Sequence, residues 1–323
     1  MNSEKTVSVI IPHYNSPEKL ERMLESIDLK EDDVQVIVVD DRSDKDTDKL
    51  SDIRRRYSKK VEFYRNNKGK KGAGTARNIG LRHAMGKWLL FADADDYFTD
   101  GAWETIRDAC ENSDAEVIYF SPTSVIEGTS EESDRHKYLA EMVREYADKG
   151  DRESELALRS GFDSPVSKLI RRELVEENGI RFDETPIAND VMFSVKTGIT
   201  AKKTEGQTKP IYCITKEKTS LSYKNDREFI DCRMNVALNN LKYLRSNTDK
   251  GELKLSGSRY FRAAVGKGYR KTDMFRWMVI FAVNGFKPFE IKYLPEIVSG
   301  LLKRDFEFMR RDDWKIWKAQ KDC

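Results

Sequence analysis

The chain has 323 residues, 38% hydrophobic and 35% charged, with a formal net charge of +2. That length suits one large domain with an appendage, or two domains, and the near-neutral balance excludes a general nucleic-acid binder. Cys110, Cys213, Cys232 and Cys323 stand far apart without a C-x-x-C pair, which excludes a zinc ribbon or a disulfide framework and fits reduced thiols. The mean hydropathy is −0.70. No apolar run reaches the ~18 residues of a spanning helix, and no signal-like segment follows Met1, so the expected location is the cytoplasm or the inner face of the cell membrane. Charge is uneven: residues 251–323 carry 16 Lys/Arg against 9 Asp/Glu.

In chain order, Val7-Ser8-Val9-Ile10-Ile11-Pro12 predicts a buried strand, with His13-Tyr14-Asn15 as the loop after it. Ser16-Pro17 then reads as N-cap and first turn of a helix whose Leu20, Met23, Leu24 and Ile27 face inward. Val34-Gln35-Val36-Ile37-Val38-Val39 is a second buried strand ending in Asp40-Asp41, followed by a polar helix and a short strand over 61–64. A glycine-rich turn, Lys68-Gly69-Lys70-Lys71-Gly72-Ala73-Gly74, feeds the next helix. Trp88-Leu89-Leu90-Phe91 is a buried strand running into Asp93-Ala94-Asp95-Asp96. A helix containing Trp103, Ile106 and Cys110 and a strand over 116–120 complete an alternation typical of an α/β domain with a mostly parallel sheet. Residues 127–160, charged and helically spaced, read as a surface insertion; 161–223 hold mixed short elements. From 226 to 323 the chain reads as a basic helical region, with Phe229, Met234, Leu238 and Leu241 on one stripe.

In a parallel sheet the acids after the second and fourth strands share the carboxyl edge, where ligands bind. Three crowded carboxylates suit a hard divalent ion, Mn²⁺ or Mg²⁺, that also grips a diphosphate. Asp-x-Asp is cheap in so charged a chain, and Asp44-Lys45-Asp46 and Asp46-Thr47-Asp48 repeat it in a polar stretch. The case for Asp93–Asp96 therefore rests on position after a buried strand.

Four segments come in register: residues 7–15, Val38-Val39-Asp40-Asp41-Arg42-Ser43, Gly74-Thr75-Ala76-Arg77-Asn78-Ile79-Gly80 and Phe91-Ala92-Asp93-Ala94-Asp95-Asp96. Together they resemble the N-terminal half of the family-2 inverting glycosyltransferases of GT-A fold. Ser167-Lys168-Leu169-Ile170-Arg171-Arg172-Glu173-Leu174, Gly179-Ile180-Arg181-Phe182-Asp183-Glu184 and Asn189-Asp190-Val191-Met192-Phe193 resemble the acceptor half of polysaccharide-building bacterial members. The resemblance covers about residues 6–200. It implies a GT-A domain over 1–225, with a nucleotide-sugar half (1–121) and an acceptor half (122–225), and leaves 226–323 unmatched.

By that resemblance Pro12, His13 and Tyr14 would line the base pocket and Asp41 would accept the N3–H of uracil. Lys71, Gly74 and Arg77 would lie by the nucleotide, as would Asp93, Ala94 and Asp95. Asp93 and Asp95 would hold the metal; Asp96 would share the ion or hold a neighbouring backbone. Asp190 would be the catalytic base, with Asn189 where the family usually has glutamate; on the residues alone, Asn189-Asp190 also fits ordinary helix capping. The activity implied is metal-dependent inverting transfer from a nucleotide-sugar, a UDP-sugar foremost, to a glycan or lipid-linked saccharide. A sugar nucleotidyltransferase and a non-catalytic sugar-nucleotide or glycan-binding module are the alternatives. The aromatics Phe275, Trp277, Phe281, Phe286, Phe289 and Tyr293, with Met278, set among basic residues, fit packing within the protein, a homodimer interface or peripheral membrane contact.

Overall fold

The buried strands form where the apolar runs lie. In the computed structural model, which describes residues 5–30, 32–216, 227–266, 269–293 and 295, every residue of β1 (Val7–His13) and β2 (Val34–Asp40) is buried. Between them α1 (Pro17–Glu25) buries Leu20, Met23 and Leu24. Ser16 occupies its N-cap position, but the hydroxyl turns back to the Tyr14 carbonyl at 3.2 Å and makes no capping bond, so the start of the helix rests on Pro17. The chain continues through α2 (Thr47–Tyr57), β3 (Val61–Arg65), α3 (Ala73–His83), β4 (Trp88–Phe91), β5 (Tyr97–Phe98), α4 (Ala102–Asn112), β6 (Val117–Phe120) and β7 (Thr123–Ile126). It then forms α5 (Lys137–Lys149), α6 (Arg152–Gly161), β8 (Lys168–Arg171), α7 (Arg172–Glu177), α8 (Val191–Thr200), β9 (Thr204–Gln207) and β10 (Tyr212–Lys216).

Seven strands form one sheet in the order β3-β2-β1-β4-β8-β6-β9. All neighbours are parallel except β8, which runs antiparallel to both β4 and β6. The order reverses between β1 and β4, the switch point where an open α/β sheet leaves a crevice at its carboxyl edge. The register His13↔Asp40 and Ile10↔Phe91 brings the ends of β1, β2 and β4 to that edge. Because β8 is reversed, its N-terminal end lies there too, shown by the Phe91↔Val166 bridge. A smaller sheet, β5-β10-β7, carries β10 beside the segment that follows β4.

The stretch 127–160, expected as a charged surface insertion, is corrected by the structure. Helix α5 buries Leu139, Ala140, Met142 and Val143, and α6 buries Leu156 and Leu158. Tyr146 donates to the Thr204 carbonyl and Arg159 to the Ala201 carbonyl, so both helices are tied to the chain around β9. Their charged residues form only the outer faces; the apolar stripe, though sparse, is complete.

The chain divides into two compact units, residues 1–217 and 218–323, against the boundary expected near 225. The second contains α9 (Arg227–Asn247), α10 (Ser258–Gly266) and α11 (Lys271–Val283). Its own core gathers Ile230, Met234, Leu238, Leu241, Phe261, Trp277, Phe281, Phe286 and Tyr293. The inward stripe of α9 runs through Ile230, and Phe229, expected on it, is only half-buried. Of the aromatics considered for membrane contact, four are thus core residues, while Phe275 is 69% exposed.

Candidate active site

Two carboxylates close β2 in different settings. Asp40 is buried; burial alone would raise its carboxyl, but hydrogen bonds from His13 and Ser43 outweigh it and hold it down at about 2. Asp41 donates its backbone N–H to the His13 carbonyl, and its carboxylate accepts from Asn66 Nδ2 (2.6 Å) and Gly72 N (2.7 Å). Asn66 in turn accepts from Gly69 N and donates to the Lys70 carbonyl, so this one side chain shapes the glycine-rich turn and pins it to Asp41. Each Asp41 oxygen keeps a free lone pair for a further donor. Of the three residues expected to line the base pocket, Pro12 and His13 are buried at the end of β1 and Tyr14 is exposed, at 43%. The Lys71 ammonium sits 3.8 Å above its ring. A ring under a cation is one wall fit for a planar base and an adjoining phosphate.

The acids after β4 lie on a turn held from behind by β10. Tyr212, fully buried, accepts from Asp93 N (2.8 Å) and donates to Asp96 Oδ2 (2.9 Å). Thr215 donates its N–H to Asp96 Oδ1 at 2.7 Å and its hydroxyl to the Asp95 carbonyl at 2.5 Å. Asp96 therefore holds backbone, the second of its two expected roles. Ala94 is buried between the acids, while Asp93 and Asp95 keep partly open side chains. Carboxylate oxygens of Asp93, Asp95 and Asp96 lie within 4.8 Å of one another. Burial, and then the neighbouring acids, raise the carboxyls of Asp95 and Asp96. An all-oxygen cluster under mutual repulsion fits a hard divalent cation, with Asp93 and Asp95 the accessible ligands.

Helix α3 links the acid turn to the distant Asp190. Gly80 packs on β1 so closely that an added Cβ would lie 2.4 Å from Ile10 Cγ2. Asn78 exchanges two hydrogen bonds with the backbone of Phe182, both 2.9 Å. Gly74 is in contact rather than in a phosphate cradle: a Cβ there would stand 2.2 Å from the Asp183 carbonyl oxygen and 2.9 Å from Asn189 Cβ. Arg77, buried over the Phe182 ring, gives Nη1 to Asn189 Oδ1 (2.9 Å) and Nη2 to Asp93 Oδ1 (2.5 Å). One guanidinium thus joins the acid turn to the loop that carries Asp190. The amide at Asn189 serves as a neutral acceptor for that guanidinium, which gives a physical role to the departure from glutamate.

Asp190 stands at the N-cap position of α8 but makes no side-chain capping bond, so the capping reading is set aside. Burial pushes its carboxyl up to about 6, Asp163 and Asp93 adding to the rise and the Arg77 charge opposing it. A carboxyl poised there is ionised at neutral pH yet basic enough to take a proton. Lys168, fully buried, donates to the Phe162 carbonyl at 2.6 Å, and burial pushes its amine down to about 7. No local sequence motif marks Asn66, Tyr212 or Thr215. Tyr212 lies in an ordinary alternating strand, and only its distant pairing reveals its place.

Solved structures share this arrangement of elements. S. aureus TarS 1–349 in complex with UDP-GlcNAc superposes with a TM-score of 0.63 at 19% identity, covering 98% of this chain and 92% of that one. The mannosyltransferase PcManGT from Pyrobaculum calidifontis, in complex with GDP-Man and Mn²⁺, gives 0.53 at 16% identity over 99% and 86%. In sequence the chain is 27% identical over 312 residues to the poly(ribitol-phosphate) beta-N-acetylglucosaminyltransferase TarS of Staphylococcus aureus (strain MW2). That match covers 91% of this chain but 51% of the relative, so the chain spans about half its length. The model of glycosyl transferase family 2 matches residues 8–179, more than half of the chain, which therefore belongs to that family.

Proposed function

We propose that the protein transfers a sugar, N-acetylglucosamine foremost, from a UDP-linked donor to a hydroxyl of a bacterial surface glycan, polyol-phosphate polymer or lipid-linked saccharide, with inversion and with a divalent metal. The observation that carries the reading is Arg77, which ties a carboxylate cluster fit for a cation to the loop bearing a carboxyl raised to about 6. The UDP-GlcNAc in complex with S. aureus TarS 1–349, and the poly(ribitol-phosphate) beta-N-acetylglucosaminyltransferase similar to this chain in sequence, support the donor and acceptor classes.

The base would lie by Tyr14, with Asp41 accepting from it and Lys71 beside the phosphates. Asp93 and Asp95 would hold the cation, Asp96 and Tyr212 keeping the turn in place. A bound Mn²⁺ or Mg²⁺ would supply Lewis-acid stabilisation of the negative charge on the departing diphosphate. Asp190 would take the proton of the acceptor hydroxyl as its oxygen attacks the anomeric carbon from the face opposite the leaving group. The glycosyl–oxygen bond breaks, UDP leaves with the electron pair, and one displacement inverts the configuration. Arg77 would keep Asp190 ionised and the acid turn in register.

The test is incorporation of labelled sugar from UDP-N-acetylglucosamine into poly(ribitol-phosphate). Asp190→Asn is expected to lower kcat by about 10²–10⁴-fold with the donor KM little changed. Near-normal turnover by that variant would remove Asp190 from the role of base, and an axial product linkage would remove inversion.

A further inference from the structure

We infer that the outer face of α11 is a docking surface for an anionic lipid bilayer. The helix is apolar on two sides. Its inner side places Met274, Trp277 and Phe281 in the core of the second unit. Its outer side repeats apolar residues at four-residue steps: Phe275 is 69% exposed, Val279 47% and Val283 81%. At 100° per residue these three, with exposed Ala282, share one arc of the helix. A helix apolar all round is ordinarily covered.

Charge identifies what covers it. Exposed Lys271 begins the same arc, and exposed Lys287 follows the end of the helix; neither is drawn into an ion pair among the described residues. The described part of this unit carries 13 Lys/Arg against 6 Asp/Glu. A short apolar strip bracketed by lysines matches the interface of an anionic bilayer, where apolar side chains enter the acyl boundary and lysines meet headgroups. A second copy fits less well. Helices paired side by side bring lysine against lysine when parallel or antiparallel, and three side chains fall short of the roughly 20–30 residues a side of a stable protein pair. No helix among the described residues is long and apolar enough to cross a membrane, so the contact is peripheral.

The experiment is sedimentation of the full chain with vesicles of phosphatidylglycerol, or of phosphatidylcholine alone, at low and high salt. Binding to the anionic vesicles only, weakened by salt and reduced about tenfold or more in Phe275→Ser/Val279→Ser/Val283→Ser, is the expected result. Unchanged UDP binding and far-ultraviolet circular dichroism in that variant would show that it folds. Two results overturn the inference: no binding by the parent chain or equal binding by the variant, and a parent oligomer in light scattering that the same substitutions dissociate.

Discussion

Asp190 differs from a surface acid by the company it keeps. Burial raises its carboxyl to about 6 and the Arg77 charge limits the rise, so its ionisation should appear in both rate and stability. In the proposed role of base it must be deprotonated, and kcat/KM is expected to fall about tenfold per pH unit below about 6. The stability sign is opposite to that of a salt-bridged acid. Unfolded, the group loses its proton near 3.8; folded, near 6, so between these values the folded state binds more protons and stability falls as pH rises. Metal-free Asp190→Asn is therefore expected to be more stable than the parent at pH 7, by on the order of 2–3 kcal/mol, the gap closing near about pH 4 in thermal or urea unfolding. A variant less stable than the parent at pH 7 would contradict the burial of a costly charge. Asp40 has the opposite character: held at about 2 by His13 and Ser43, it contributes stability above about 4 that is lost as pH falls toward 2.

At the level of elements, α3 organises the site. Its glycines allow contact, Gly80 with Ile10 and Gly74 with the Asp183 carbonyl, and its Asn78 and Arg77 hold the far loop. Gly74→Ala should push that loop outward. We expect kcat to drop about 10²-fold while UDP affinity, measured by calorimetry, stays within a few-fold. Equal kcat would mean that the loop yields without moving Asp190. Strands β1, β2 and β4, the acid turn and the glycine-rich helix were legible because each is local: an apolar run, then a carboxylate or a glycine. The ties between them were not. Tyr212 reaches Asp93 and Asp96 across more than a hundred residues, and Asn189 is recognisable as a partner of Arg77 only once the chain has folded. Helices α5 and α6 are hidden in the sequence for a related reason. In a strongly charged chain a stripe of four apolar residues looks like an insertion until β9 appears beneath it.

On the scale of the whole molecule, a family-2 glycosyltransferase domain is followed by a compact helical unit with its own aromatic core. The near-neutral total conceals a basic C-terminal part, so ionic strength should act on surface binding more than on the buried acid turn. The proposed transfer requires that the cluster of Asp93, Asp95 and Asp96 hold a divalent cation, so that nucleotide binding is expected to depend on metal. The direct measurement is calorimetric titration of the full chain with UDP, with and without Mn²⁺, beside Asp95→Ala. We expect UDP to bind the parent at least about tenfold more tightly with Mn²⁺, and the variant to lose that gain. Equal affinity with and without the metal, or an Asp95→Ala variant that keeps the full Mn²⁺ effect, would contradict the account.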